Sequence, residues 1–188
     1  MHGFTLWFTG LPAAGKSTLA EAVSRDLRSR GHQVEVLDGD RVRRESGGRL
    51  GFSKEDRDAN VRRIGLMARQ LSRSGVVAIV AAISPYRDIR DEVRREHEGS
   101  FVEVFVECPL AVLVRRDPKG LYAKALKGDI QGFTGVSDPY EPPVTPEITV
   151  HTDREDVQES VATILEWLGR QVLIKPLKRR GDAPIVSP

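Results

Sequence analysis

The 188 residues suit a single α/β domain with a sizeable core. Charge is nearly balanced, formally +2 with 30% charged residues, so no single-sign field calls for nucleic acid or a membrane surface, although the C-terminal stretch is locally basic. A lone cysteine, Cys108, excludes an internal disulfide, and no signal peptide or apolar run of transmembrane length stands out, which makes a cytoplasmic protein the expectation.

Phe4 to Thr9 is apolar and β-prone, as a buried first strand should be. Gly10-Leu11-Pro12-Ala13-Ala14-Gly15-Lys16-Ser17 follows at once and fits the phosphate-loop pattern at every fixed position, with a helix start behind it. Gly10 and Gly15 let the backbone turn its N–H groups inward as an anion nest, and the helix adds its positive end. Lys16 can reach β- and γ-phosphates. Ser17 offers a hydroxyl to Mg²⁺, and Thr18 opens the helix beside it. A nucleoside triphosphate site is implied, but the fate of its phosphate is not.

Leu19 to Arg30 reads as an amphipathic helix ended by Gly31, and Gln33 to Leu37 as the second strand. Asp38-Gly39-Asp40 then falls where open α/β sheets bind ligands, although Asp-Gly also makes a plain turn. Arg41 to Ser53 looks irregular, with Gly47, Gly48 and Gly51 beside Arg43, Arg49 and the apolar Phe52. Ser53 to Ser74 is a long helix with a capping box from Ser53 and Asp56. Its first turns, with Arg57, Asn60, Arg62 and Arg63, read as either a solvated face or a basic wall for an anionic substrate. Asn60 is the only asparagine, so a guanine-reading Asn-Lys-x-Asp is excluded.

Val76 to Ile83 is continuously apolar, as a doubly buried parallel strand should be. Ser84 after it either caps the next helix or meets substrate, and the local sequence favours the cap. Arg87 to Glu98 is a charged surface helix, Phe101 to Val106 a strand, and Cys108 reads as a small core residue. A helix begins at Pro109. The basic, glycine-punctuated stretch from Arg115 through Lys119, Gly132 and Phe133 to the prolines 139–146 reads as a lid that closes over phosphates. Glu147 to His151 is the last strand. Asp156 to Gln171 is the closing helix, with Val157, Val161, Ile164, Leu165, Leu168 and Val172 facing the core. Five strands alternating with helices predict a parallel sheet with helices on both faces. With the phosphate loop and the lid they resemble the small-molecule kinases of the nucleoside monophosphate kinase type, which implies a three-layer P-loop kinase fold.

Seven blocks together resemble a known family. Besides the phosphate loop they are Leu37-Asp38-Gly39-Asp40, Leu50-Gly51-Phe52-Ser53, Arg57-Asp58-Ala59-Asn60-Val61-Arg62-Arg63, Ile83-Ser84-Pro85-Tyr86-Arg87, Arg116-Asp117-Pro118-Lys119-Gly120-Leu121-Tyr122 and Gly132-Phe133-Thr134-Gly135. In this order and spacing they look like adenylyl-sulfate (APS) kinase. The resemblance implies transfer of the γ-phosphoryl group of ATP, with Mg²⁺, to the 3′-hydroxyl of adenosine 5′-phosphosulfate (APS), giving PAPS for sulfate assimilation.

The resemblance also implies roles. The phosphate loop holds ATP. Asp40 and Arg43 line the APS site, Phe52 packs on its adenine side, and Arg57 and Asn60 bind it from the long helix. Ile83 and Ser84 contact it from the third strand's end, Lys119 reaches phosphates, and Gly132 with Phe133 closes over the adenine. Lys16, Asp40 and Ser84 form the catalytic set. Ser84 matches a serine described as a phosphoserine intermediate, which makes it the second choice behind direct in-line transfer. Pro12-Ala13 departs from the Ser-Gly common in the family, so a stiffer loop with intact binding is expected. A stand-alone kinase domain over 1–173, a basic, flexible tail over 174–188 and a possible homodimer complete the expectation. The rivals are another small-molecule P-loop kinase, a catalytically silent nucleotide-binding domain and an oligonucleotide binder acting through Lys178-Arg179-Arg180.

Overall fold

Strand β1, Thr5–Thr9, is buried at all five positions, as a central strand covered on both faces must be. The computed structural model describes residues 3–45 and 51–174. In it β1 pairs in parallel with β3, Val77–Ala81, on one side and with β4, Phe101–Glu107, on the other. Strands β2, Val34–Asp38, and β5, Ile148–His151, form the parallel edges, so the order is β2-β3-β1-β4-β5. The chain runs from β1 to one edge and returns through β3 to cross to the other side. The carboxyl ends of β1 and β3 therefore open onto a crevice at a topological switch point.

Helices α1, Lys16–Ser29, and α7, Val157–Arg170, cover one face, where Leu6, Phe8, Leu19, Val23, Ile164 and Leu168 are buried together. Helices α3, Lys54–Arg73, and α4, Arg87–Glu96, cover the other, over Trp7, Val80, Ile64 and Ile89. The alternation of strand side chains explains the split: Leu6 and Phe8 point one way and Trp7 the other. Truncating a buried Leu or Ile of either layer to Ala costs about 2–5 kcal/mol. At Gly65 a Cβ would lie 2.8 Å from both Val93 methyls, so this glycine sets the close approach of α3 to α4.

Several expectations need adjusting. The stretch after β2 is not irregular throughout: α2, Gly39–Glu45, begins directly at the strand end. Its start is capped by the Asp38 carboxylate, which accepts the amides of Asp40 and Arg41 at 3.0 Å each, so the Asp-Gly pair serves a helix rather than a turn. Helix α1 starts at Lys16, directly behind the loop as its sequence suggests, and so ahead of the amphipathic stripe that opens at Leu19. Ser53 caps α3 by accepting the Asp56 amide at 3.1 Å, but the Asp56 carboxylate takes the Ser53 hydroxyl instead of the Ser53 amide. Asp156 and Glu159 form the reciprocal capping box on α7. Val157 and Val172 do not face the core; they are 43% and 87% exposed, because they lie at the helix ends where the apolar stripe leaves the sheet. Helices α5, Leu110–Arg116, and α6, Leu121–Leu126, carry the chain into the lid segment. Gly47, Gly48, Arg49, Leu50 and the tail 175–188 lie outside the described residues. Among those described, no helix is long and apolar enough to cross a membrane.

Candidate active site

The loop from Gly10 to Gly15 joins β1 to α1 with Ala13 and Gly15 at positive φ, 60° and 100°. Gly15 carries no side chain to cap α1, and the first turn holds no acidic residue, so the leading amides of the helix are left for an anion. Lys16 folds back over the loop. Its ammonium donates to the carbonyls of Gly10 at 2.9 Å and Leu11 at 2.7 Å. Burial lowers its pKa to about 8, against the opposing attraction of Asp40 and Asp38. Thr152 in the turn after β5 ties the loop down by donating to the Ala14 carbonyl at 2.9 Å.

Beside the lysine, Ser17 donates to Asp38 Oδ2 at 3.3 Å, and Asp40 stands exposed at the start of α2. A hydroxyl and two carboxylates form an all-oxygen set, which suits Mg²⁺. Among the described residues no group of three or more His, Cys, Asp or Glu forms a self-sufficient metal cage. That arrangement fits an ion completed by nucleotide phosphates and water. Asp38 was read from sequence only as part of a suggestive tripeptide; its contact with the Ser17 hydroxyl makes it a site residue in its own right.

The loop, the ends of β2 and β3, the first turns of α3 and the lid enclose one cleft of about 780 Å³. Pro12, Ala13, Gly15, Lys16, Ser17 and Thr18, from the phosphate loop and the start of α1, line one side. Asp40, Arg43, Phe52, Arg57, Asn60, Ile83 and Ser84 line the opposite side, and Lys119, Gly132 and Phe133 come from the lid. Of the expected residues Gly10, Leu11 and Ala14 stay outside the lining. The first two serve through the carbonyls that hold Lys16, and Ala14 is packed in the core.

The side opposite the phosphate loop is a cationic and aromatic wall. Arg43 and Arg57 stand over the Phe52 ring at 5.0 and 5.9 Å from its centroid. Arg57 donates to Phe52 O at 2.8 Å, to Thr134 Oγ1 at 2.6 Å and to Gly132 O, and lies 3.5 Å from Asp138. It thus fastens the Gly132–Asp138 turn to α3. Asn60 donates weakly to Gly39 O at 3.4 Å, while its Oδ1 is buried with no hydrogen-bond partner among the described residues. An unmade bond at a cleft-lining amide suits a ligand donor.

Ser84 does not cap α4; Tyr86 is the N-cap residue and makes no side-chain cap. Instead Ser84 sits in the left-handed region at φ 42°. Its hydroxyl accepts from the Trp7 indole at 3.1 Å and donates to Thr9 Oγ1 at 3.1 Å. Thr9 in turn donates to Ile83 O at 2.8 Å and meets the Tyr140 phenol at 3.0 Å. Burial raises the Tyr140 pKa to about 12, so this phenol stays protonated. The local sequence favours a cap because Trp7 and Thr9 reach Ser84 only through the tertiary fold.

The lid rests on the phosphate loop. Phe133 meets the Tyr122 ring edge-on at 5.0 Å, and a Cβ at Gly135 would lie 2.7 Å from Leu11. Asp117 starts α6 by accepting the amides of Tyr122 and Ala123 at 3.0 and 2.9 Å.

A phosphate loop behind the central strand, an oxygen set beside its serine and a basic lid define a P-loop phosphotransferase with a second, cationic wall in the same cleft. A family model described as adenylylsulphate kinase matches residues 2–151. An adenylyl-sulfate kinase of Rippkaea orientalis is 57% identical over 179 residues, covering 94% of this chain and 97% of its own. A probable bifunctional SAT/APS kinase of Sorangium cellulosum is 54% identical over the whole chain, which spans 32% of that relative. The structure of the Mycobacterium tuberculosis APS kinase in complex with AMPPNP and APS superposes with a TM-score of 0.84 at 40% identity, covering 89% of this chain and 98% of that one. The chain belongs to the adenylylsulphate kinase family.

Proposed function

We propose that this chain transfers the γ-phosphoryl group of ATP to the 3′-hydroxyl of APS, giving PAPS and ADP. The observation that carries this reading is the sharing of one cleft by Lys16 and Ser17 with Arg43, Arg57, Phe52 and Phe133. A phosphosulfate calls for guanidinium groups and an adenine for aromatic faces. The cleft holds both opposite a phosphate loop.

In this reading the amides of the loop and α1 hold the β- and γ-phosphates. Lys16 leaves the Gly10 and Leu11 carbonyls to neutralise charge on the transferring group. Ser17 and Asp38 would hold Mg²⁺, which would screen the phosphate charge when bound. Asp40 orients the 3′-hydroxyl and takes its proton as the oxygen bonds to phosphorus and the bridging oxygen departs with ADP. Lys119, Gly132 and Phe133 close the lid and exclude water, which would otherwise take the phosphoryl group.

Direct in-line transfer is favoured over a phosphoserine because both sides of the Ser84 hydroxyl are engaged, with Trp7 and Thr9. Incubation with ATP, Mg²⁺ and APS should yield PAPS by mass and ADP in equal amount. Absence of PAPS while ADP forms with another acceptor overturns the reading. The reading further includes a homodimer, tested by light scattering, and a cytoplasmic location, tested by cell fractionation.

A further inference from the structure

Helix α4 has the sequence of a charged surface helix, yet Arg90 within it is only 2% exposed. Each of its three nitrogens donates a hydrogen bond. Nε donates to Glu103 at 2.9 Å, Nη1 to the Ser84 carbonyl at 2.7 Å and Nη2 to the Glu141 carbonyl at 2.7 Å. The guanidinium also lies 5.8 Å from the centre of the Tyr140 ring. Glu103 is held in turn by Arg94, which also pairs with Glu147 ahead of β5.

A buried cation without substrate contact needs a reason. Here both carbonyls it holds belong to the cleft's support. Ser84 is a non-glycine residue in the left-handed region, a conformation that persists only where its surroundings impose it. Glu141 belongs to the proline-rich strap, and its amide donates to Pro85 O at 2.8 Å. Arg90 thus closes a ring: Ser84 and Pro85 on one side, Glu141 on the other, one guanidinium between them. Lysine cannot reproduce this, because only the planar fork serves three acceptors at fixed angles.

We propose that Arg90 is a positioning residue for the acceptor: from behind the cleft it presets the Ile83–Ser84–Pro85 turn against which APS is held. The proposal rests on the acceptor reading given above. It separates the roles of two arginine classes, with Arg43 and Arg57 in the cleft wall and Arg90 fixing the shape of the wall without entering it. Glu103 balances the buried charge, and Arg94 with Glu147 anchors Glu103.

The test uses Arg90→Met/Glu103→Leu and Arg90→Lys. Exchanging a buried ion pair for apolar residues of similar size tends to preserve stability, while removing one partner alone does not. Arg94 keeps Glu147 in the double variant. Both are made in a Trp167→Phe background, which leaves Trp7 as the only tryptophan and a direct reporter on Ser84.

The expected result is a double variant that melts near the parent, with an APS KM raised roughly tenfold, an ATP KM unchanged and a shifted Trp7 emission. If its melting temperature falls, Arg90→Lys carries the test through the same split between the two KM values. An unchanged APS KM with unchanged Trp7 emission overturns the proposal, as does an equal rise of both KM values. A parent that never phosphorylates APS, with Trp7 emission still shifting in the variants, overturns the acceptor reading and leaves Arg90 as the setter of the turn.

Discussion

The phenol of Tyr122 donates a hydrogen bond of 2.9 Å to the carbonyl of Pro12, 110 residues earlier. This bond joins the lid helix to the phosphate loop. On its other side Tyr122 meets Phe133, a lid aromatic that lines the cleft. A single ring therefore stands between the two halves of the cleft. Tyr122→Phe keeps the ring contact and removes only the bond. It should lower stability by about 1 kcal/mol and weaken ATP by up to roughly fivefold, with APS less affected. Thermal melting and the two KM values check this; an ATP KM identical to the parent's would show the lid docks without the phenol.

Ala13 stands at φ 60°, a left-handed conformation that glycine adopts more easily. A non-glycine residue there costs about 1–2 kcal/mol, partly offset because alanine restricts the unfolded chain more than glycine does. Ala13→Gly should therefore leave stability within about 1 kcal/mol of the parent and preserve ATP binding. Ala13→Val should destabilise by more, because a β-branched residue is a genuine outlier at positive φ. Denaturant melts with and without ATP decide it, and a valine variant as stable as the glycine one would contradict the loop geometry.

Ser84→Ala removes the acceptor of the Trp7 indole and leaves a buried N–H unmet, at a cost of about 1–3 kcal/mol. Turnover should persist, with APS bound more weakly, since the hydroxyl serves the wall of the cleft. Chiral γ-phosphate substrate should show inversion at phosphorus. Retention, together with an inactive alanine variant, would instead establish the covalent route.

Lys16 gives the pH dependence. Its folded pKa of about 8 lies below the ordinary 10.5, so the ligand-free site loses the ammonium early as pH rises. Below pH 8 the charge is present before and after the triphosphate arrives. Above it, binding must recapture a proton, and affinity should fall by up to about tenfold per pH unit until the ordinary lysine range. Calorimetry in buffers of different ionisation enthalpy should show proton uptake on ATP binding at pH 9 and little at pH 6.5. Equal uptake at both would place the titration on another group.

The parts of this site that the sequence displays are those whose partners are near in the chain. The phosphate loop, the Asp38–Asp40 corner and the lid glycines are local signals set by backbone geometry, and they fall at strand ends, where an α/β sheet opens. What stayed hidden spans long separations. Ser84 reads as a cap because Ser before Pro commonly caps, while its true partners, Trp7 and Thr9, lie across the sheet. Arg90 reads as surface because its helix is mostly charged; its burial depends on Glu103 and Glu141 arriving from elsewhere. Helix α2 was masked by the nearby glycines, although Asp38 supplied its cap.

The central claim is the identity of the acceptor. ADP release with ATP and Mg²⁺ should be measured against APS, AMP, gluconate, shikimate and no acceptor. The account predicts release with APS alone, accompanied by a product of PAPS mass. Release with one of the other acceptors, or tight ATP binding with no release on any of them, would contradict it.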